Sequence, residues 1–147
     1  MKITLQKDLD PDVDVYYCHQ FRIYQESYLI WSRDTWEAII NTCDVFQIEV
    51  NRKYAGDVIL EDRGKGKNMI VDFSLLPEYQ GKAIGKATLE QVKLMGKKTM
   101  AVTRKKTLAF FLKSGFVVKK LMKNYYYPQV DGYYITFLNE KGDFRRV

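Results

Sequence analysis

Histidine is nearly missing from this 147-residue chain, cysteine is scarce, and no long apolar run occurs. The single histidine, His19, falls on a predicted helix with no nucleophile near it in sequence, which argues for a structural side chain and against a histidine-based catalytic centre. Cys18 and Cys43 lack CxxC spacing and also fall on predicted helices. They are expected to be buried, reduced thiols of a cytoplasmic protein, with no disulfide and no metal site. No segment reaches the length of a membrane-spanning helix, so no membrane partner is expected, and residues 1–10 lack the apolar core of a signal peptide. Linkers, repeats and low-complexity tracts are absent as well. Residues 1–147 therefore read as a single domain, long enough to bury a core without disulfides or metal.

Apolar residues make up 46% of the chain, which excludes wholesale disorder. The formal charge of +6 suits an anionic partner, either nucleic acid or a phosphorylated cofactor, and equally serves solubility. Eleven tyrosines suit core-edge or groove positions.

Alternation over residues 1–6 predicts a strand, and Asp10-Pro11 opens a helix running to about Tyr24. Asp34-Thr35-Trp36-Glu37 resembles a capping box. Behind it Trp36, Ile39, Ile40 and Cys43 share one helical face. Phe46, Ile48 and Val50 alternate in a strand, followed by a turn over 51–56 and a return over 57–61. A basic turn at 63–67 then leads into a longer apolar strand at 68–76. From Ile84 the period becomes helical, with Ala87, Thr88, Val92 and Met95 on one face and Gly96 as the stop. A strand at 100–103, a short helix at 107–113 and strands at 117–127 and 133–139 complete the order. This describes an α/β domain of the α+β type, with a mixed, mostly antiparallel sheet flanked by helices.

The segment DFSLLPEYQGKAIGK, residues 72–86, is the most informative. A strand stops at Pro77, a glycine-containing loop follows, and a helix begins. Free amides at a helix start, with the positive end of its dipole, favour a phosphate or pyrophosphate. The loop is not a Walker motif, since Gly81 to Lys86 is one residue short and Ala87 stands in the Ser/Thr place. Gly64 and Gly66 lack the third glycine of a dinucleotide fingerprint.

The element order and two motifs resemble the GNAT superfamily of acyl-CoA-dependent N-acyltransferases. One motif is the loop Gln80-Gly81-Lys82-Ala83-Ile84-Gly85 behind its Leu76-Pro77 lead-in; the other is Phe110-Phe111-Leu112-Lys113-Ser114-Gly115-Phe116. The resemblance covers the C-terminal half, and the N-terminal half has no motif of its own. It implies acetyl-CoA as co-substrate, with the pyrophosphate on the backbone of Gln80, Gly81, Lys82, Ala83, Ile84, Gly85 and Lys86. It also implies that the edge of a splayed central strand at Phe73, Ser74, Leu75 and Leu76 bonds the pantetheine arm, with Phe110 and Phe111 on the cofactor side. Arg104 stands where the family often has asparagine, and either contacts a coenzyme A phosphate or is solvated.

Phe111 replaces the tyrosine that many members use to reprotonate the thiolate, and Met69 stands where a catalytic glutamate is common. Tyr125 and Tyr127, within the run Tyr125-Tyr126-Tyr127, are the candidate acids; Glu61 and Asp72 are the nearest carboxylates for a base. The implied activity is direct transfer of an acetyl group to a primary amine in a ternary complex, the amine belonging to a small molecule, a peptide or a nucleobase-linked compound. Its acceptor groove is expected between the N-terminal helices and the final strands, lined from residues 21–31 and 124–134. A homodimer is compatible with it. Two other readings stand beside it: an acyl-CoA-binding module without catalysis, and an RNA-associated basic protein using Arg63 to Lys67, Lys97-Lys98, Arg104 to Lys106 and Lys119 to Lys123.

Overall fold

The structure is a computed structural model and describes residues 1–140. One seven-stranded sheet, in the order β1-β2-β3-β4-β5-β7-β6, forms the centre. Its strands are β1 (Ile3–Lys7), β2 (Asp44–Val50), β3 (Lys53–Asp62), β4 (Lys67–Leu75), β5 (Lys98–Thr103), β6 (Val117–Tyr127) and β7 (Val130–Leu138). Every neighbouring pair is antiparallel except β4 and β5. Helices α1 (Val13–Ile23) and α2 (Arg33–Thr42) cover one face, where Tyr16, Trp36 and Ile40 pack on Val45 and Ile59. Helices α3 (Ile84–Lys93) and α4 (Lys105–Lys113) cover the other, where Ile84, Leu89, Val92 and Phe111 pack on Phe46, Ile48, Val58 and Leu60.

Helix α2 starts two residues before the capping box expected from the sequence. Ser32, with extended backbone (ψ 162°), is the N-cap and accepts from the Thr35 N–H, while Asp34 lies in the first turn, where its charge meets the dipole. The β2–β3 turn is also shorter than 51–56. Asn51 and Arg52 both take positive φ, 51° and 70°, which makes a two-residue hairpin and starts β3 at Lys53. Gly56 then lies within β3, where a Cβ would stand 2.0 Å from the Ser74 carbonyl oxygen. Strand β7 begins at Val130 and helix α4 at Lys105, both earlier than the periodicity indicates. The expectation of two buried helical thiols is corrected: Cys18 is exposed on α1, and Cys43 is half-buried just past the end of α2, both free.

The fold opens where β4 and β5 part. They pair only over Lys67 to Ile70 with Lys98 to Ala101, after which β5 continues to Thr103 with β7 as its one partner among the described residues. Val71 is an extra residue in β4, since Ile59 opposes Asp72 while Leu60 opposes Ile70. This bulge turns the end of β4 away from β5. No helix among the described residues is long and apolar enough to cross a membrane.

Candidate active site

A cleft of about 760 Å³ occupies the opening between β4 and β5. Its walls are the α1–α2 connection from Ile23 to Trp31, the loop before α3, and the start of α4. Gln20, buried on α1, holds that connection by donating to the Trp31 carbonyl (2.7 Å) and accepting from the Trp31 N–H (2.9 Å).

The loop from Gln80 to Lys86 is built around two left-handed residues, Gly81 (φ 72°) and Ala83 (φ 62°), the latter being the N-cap of α3. Alanine is strained in this conformation, which costs about 1–2 kcal/mol. With no side-chain cap at Ala83, the amides of Gly81, Lys82, Ala83, Ile84, Gly85 and Lys86 find no protein acceptor among the described residues. Gly81, Ala83, Gly85 and Lys86 line the cleft. The Gln80 side chain donates to the Leu75 carbonyl (2.8 Å) and ties the loop to the strand end.

Strand β4 presents its edge to the same space. The Leu76 N–H donates to Ala55 on the β3 side, so alternation sends the N–H and C=O groups of Phe73 and Leu75 the other way, into the opening. Of these, the Leu75 carbonyl is taken by Gln80. The Phe73 ring packs on Phe110 and Phe111, and Phe111 is buried in an aromatic cluster with Phe116.

Asp72 lines the cleft from the opposite face of β4. The Tyr24 hydroxyl donates to its Oδ1 at 2.9 Å, and burial, then the Asp72 charge, hold the Tyr24 phenol far above its ordinary pKa. Behind Asp72, on β3, lies the fully buried Asp57. Burial first, and the neighbouring Asp72 charge second, raise the Asp57 carboxyl well above the usual carboxylate range.

Among the sequence-named residues, Phe73, Ser74, Leu75, Gln80, Gly81, Ala83, Gly85, Lys86, Arg104, Phe110 and Phe111 line this one cleft. Leu76 and Ile84 turn instead into the core, and the Lys82 side chain is exposed outside the lining. Arg104 is neither free nor solvated: it pairs with Glu26 at 3.3 Å across the cleft mouth. Glu61 lies outside the cleft, opposite Met69 and bound to Arg63.

The tyrosine run needs correction. Tyr125 and Tyr127 are half-exposed and outside the lining, whereas Tyr126 lines the cleft and donates to the Val102 carbonyl at 2.9 Å. Burial raises the Tyr126 phenol to about 12. The expected groove over 124–134 reduces to this residue, while its N-terminal wall, from Ile23 to Trp31, agrees. Sequence reading held Tyr24 only as one of the expected groove residues 21–31, without its bond to Asp72, and missed Asp57. The one signal for Asp57 was a lone charge within the apolar run from Ala55 to Leu60. Among the described residues no group of three or more His, Cys, Asp or Glu is placed to hold a metal.

No protein-family model matches the sequence, and no curated protein sequence matches it. Solved structures do match in three dimensions. The ribosomal-protein-S18-alanine N-acetyltransferase of Escherichia coli superposes with a TM-score of 0.79 at 19% identity, covering 93% of this chain and 94% of that one. A spermidine N-acetyltransferase chimera from Vibrio cholerae and the human enzyme gives 0.76 at 16% identity, covering 96% and 98%. A GNAT family acetyltransferase from Elizabethkingia anophelis, with acetyl-CoA bound, gives 0.72 at 17% identity, covering 92% and 97%. The chain therefore has the GNAT acetyltransferase fold.

Proposed function

We propose that the protein transfers an acetyl group from acetyl-CoA to a primary amine, with both substrates held in the cleft between β4 and β5. The observation that carries this reading is the convergence of two sets of unpaired backbone groups on one space. These are the amides from Gly81 to Lys86 and, on the edge of β4, the Phe73 N–H and C=O with the Leu75 N–H, the Leu75 carbonyl being held by Gln80. The first set suits a diphosphate, helped by the Lys86 charge and the α3 dipole. The second suits an amide-bearing arm laid beside β4 as an extra strand. A cleft of about 760 Å³ is of the size that encloses such a ligand.

The thioester supplies an activated acyl carbon and a stable leaving thiolate. The chain's own groups do the rest. A β4 N–H facing the opening donates to the carbonyl oxygen as charge develops on it, a contribution of about 3–4 kcal/mol when removed in comparable sites. Asp72, oriented by Tyr24, provides a carboxylate for the acceptor ammonium, and Tyr24, Tyr28, Trp31 and Tyr126 wall the acceptor side. Tyr126 keeps its proton at neutral pH and is committed to Val102, so its part is to shape the wall. Phe111 is a core residue, and the thiolate departs without help from it.

The test is release of free thiol from acetyl-CoA in the presence of a panel of primary amines: polyamines, peptides with free N-termini, and aromatic amines. Thiol release that requires one class of amine supports the reading. Binding of coenzyme A without release for any amine makes the protein a binding module instead.

A further inference from the structure

The α1 side of the sheet holds a set of buried polar atoms that the reading above leaves unused. The Tyr54 hydroxyl, one carboxylate oxygen of Asp57 and His19 Nδ1 are all buried without a hydrogen-bond partner among the described residues. Such atoms cost stability, and each calls for an explanation. They are also contiguous. His19 stacks on Tyr54 with ring centroids 4.6 Å apart, and the Asp57 and Asp72 charges both bear on the Tyr54 phenol.

Two backbone irregularities bring them together. The β3 bulge between the pairs Ile48–Gly56 and Glu49–Tyr54 places Tyr54 and Asp57 on the same face. The β4 bulge at Val71 then sets Asp72 diagonal to Asp57, whose direct partner is Ser74. The facing groups are Tyr16 and Tyr24 from α1 and its C-cap, Tyr54 from β3 and Ser74 from β4, with His19 stacked behind Tyr54. Asp8 accepts from Tyr16, Arg22 bears on His19, and Arg104 bears on Tyr24. Among the described residues no cation faces the two carboxyls directly, so both ionising there is unfavourable.

We propose that Asp57 and Asp72 act as one carboxyl pair holding a single proton, open to the cleft at Asp72 and to solvent on the α1 side through Tyr54 and His19, and that this pair takes the proton the acceptor ammonium must lose. The proposal rests on the acetyl-transfer reading. An ammonium R–NH3⁺ gives one proton to Asp72, and the pair then holds two. The amine lone pair forms the C–N bond, the C–S bond breaks with its electrons on sulfur, and the second nitrogen proton goes to the thiolate. The pair returns its extra proton to solvent by way of Tyr54 and His19. The imidazole suits that exit, because burial, and then the Arg22 charge, lower its pKa and favour giving the proton up. The products are an amide, a thiol and one proton released to solvent.

Asp57→Asn is the discriminating variant, since asparagine keeps a donor toward Asp72 and has no proton to exchange. Infrared spectra of the unliganded protein at pH 7 are expected to show a protonated-carboxyl band that this variant loses. Kinetics are expected to show kcat reduced roughly 10- to 100-fold with the acceptor KM within about twofold. Tyr54→Phe and His19→Asn are expected to lower kcat and raise the solvent deuterium isotope effect, with added imidazole rescuing the second. A wild-type kcat and pH profile in Asp57→Asn, or a band that survives the substitution, overturns the pair while leaving acetyl transfer intact. A protein that acetylates no amine overturns the reading beneath it, whatever the spectra show.

Discussion

On one side of β4, Ile70, Phe73 and Leu75 meet hydrocarbon: Val58 and Leu60 in the sheet, and Ile84, Phe110 and Phe111 from the helices. On the other side, a few ångströms away, Asp72 and Ser74 meet Asp57, Tyr24 and Tyr54. The α3/α4 face is a well-packed apolar core. The α1 face buries titratable groups at a cost in stability, with a cleft at its margin. The difference teaches that one strand can divide its work: the apolar side fixes where its edge lies, and the polar side carries the chemistry.

Substitutions on the two faces should separate accordingly. The largest effect is expected from Asp72→Asn on the polar side, where steady-state rates of acetyl transfer should fall by about 10²- to 10⁴-fold. Its unfolding free energy should move by no more than about 1 kcal/mol, because asparagine still accepts from Tyr24. An active Asp72→Asn protein would break the comparison at its strongest point.

Leu60→Ala on the apolar side should do the opposite. Leu60 has no exposed surface, so urea unfolding should show a loss of about 2–5 kcal/mol, with kcat close to wild type in the folded fraction.

Asp57→Asn sharpens the contrast through pH. The unfolded chain ionises this carboxyl near its ordinary value of about 3.9, whereas the folded protein holds the proton to higher pH. Folding takes up a proton in that window. The contribution to stability is therefore full below about pH 4 and is lost as pH rises through the folded value. The variant should gain stability over wild type as pH is raised from about 5 to about 8, measured by urea midpoints. A difference that does not change with pH would contradict this.

Ala83→Gly, at the loop between the two faces, should give the smallest effect. Relief of the φ 62° strain is expected to add about 1 kcal/mol to unfolding, and coenzyme A affinity should hold or improve.

How much of this could be read from the residues depended on the distance over which each feature is encoded. The loop from Gln80 to Lys86 is local: a proline stop, glycine and a helix start are adjacent in sequence, and Gly81, Ala83, Gly85 and Lys86 line the cleft. Helix and strand order followed from periodicity for the same reason. Ends were harder. Ser32 and Asp34 are both able caps, and only the backbone of the preceding connection selects Ser32. The polar site was the least legible. Its members come from α1, β3 and β4, and two one-residue bulges decide which side chains meet. Counting alternation along Tyr125 to Tyr127 likewise could not choose Tyr126, because the β6–β7 register is itself irregular between Met122 and Tyr127.

The most direct check on the account is a coenzyme A titration of isotopically labelled protein, following backbone amide signals by NMR. The account predicts saturable shifts concentrated at Gly81 through Lys86 and at Phe73 and Leu75, with the amides of the β1–β2 edge unmoved. Shifts scattered over the basic surface, or none at the loop and the β4 edge, would contradict it.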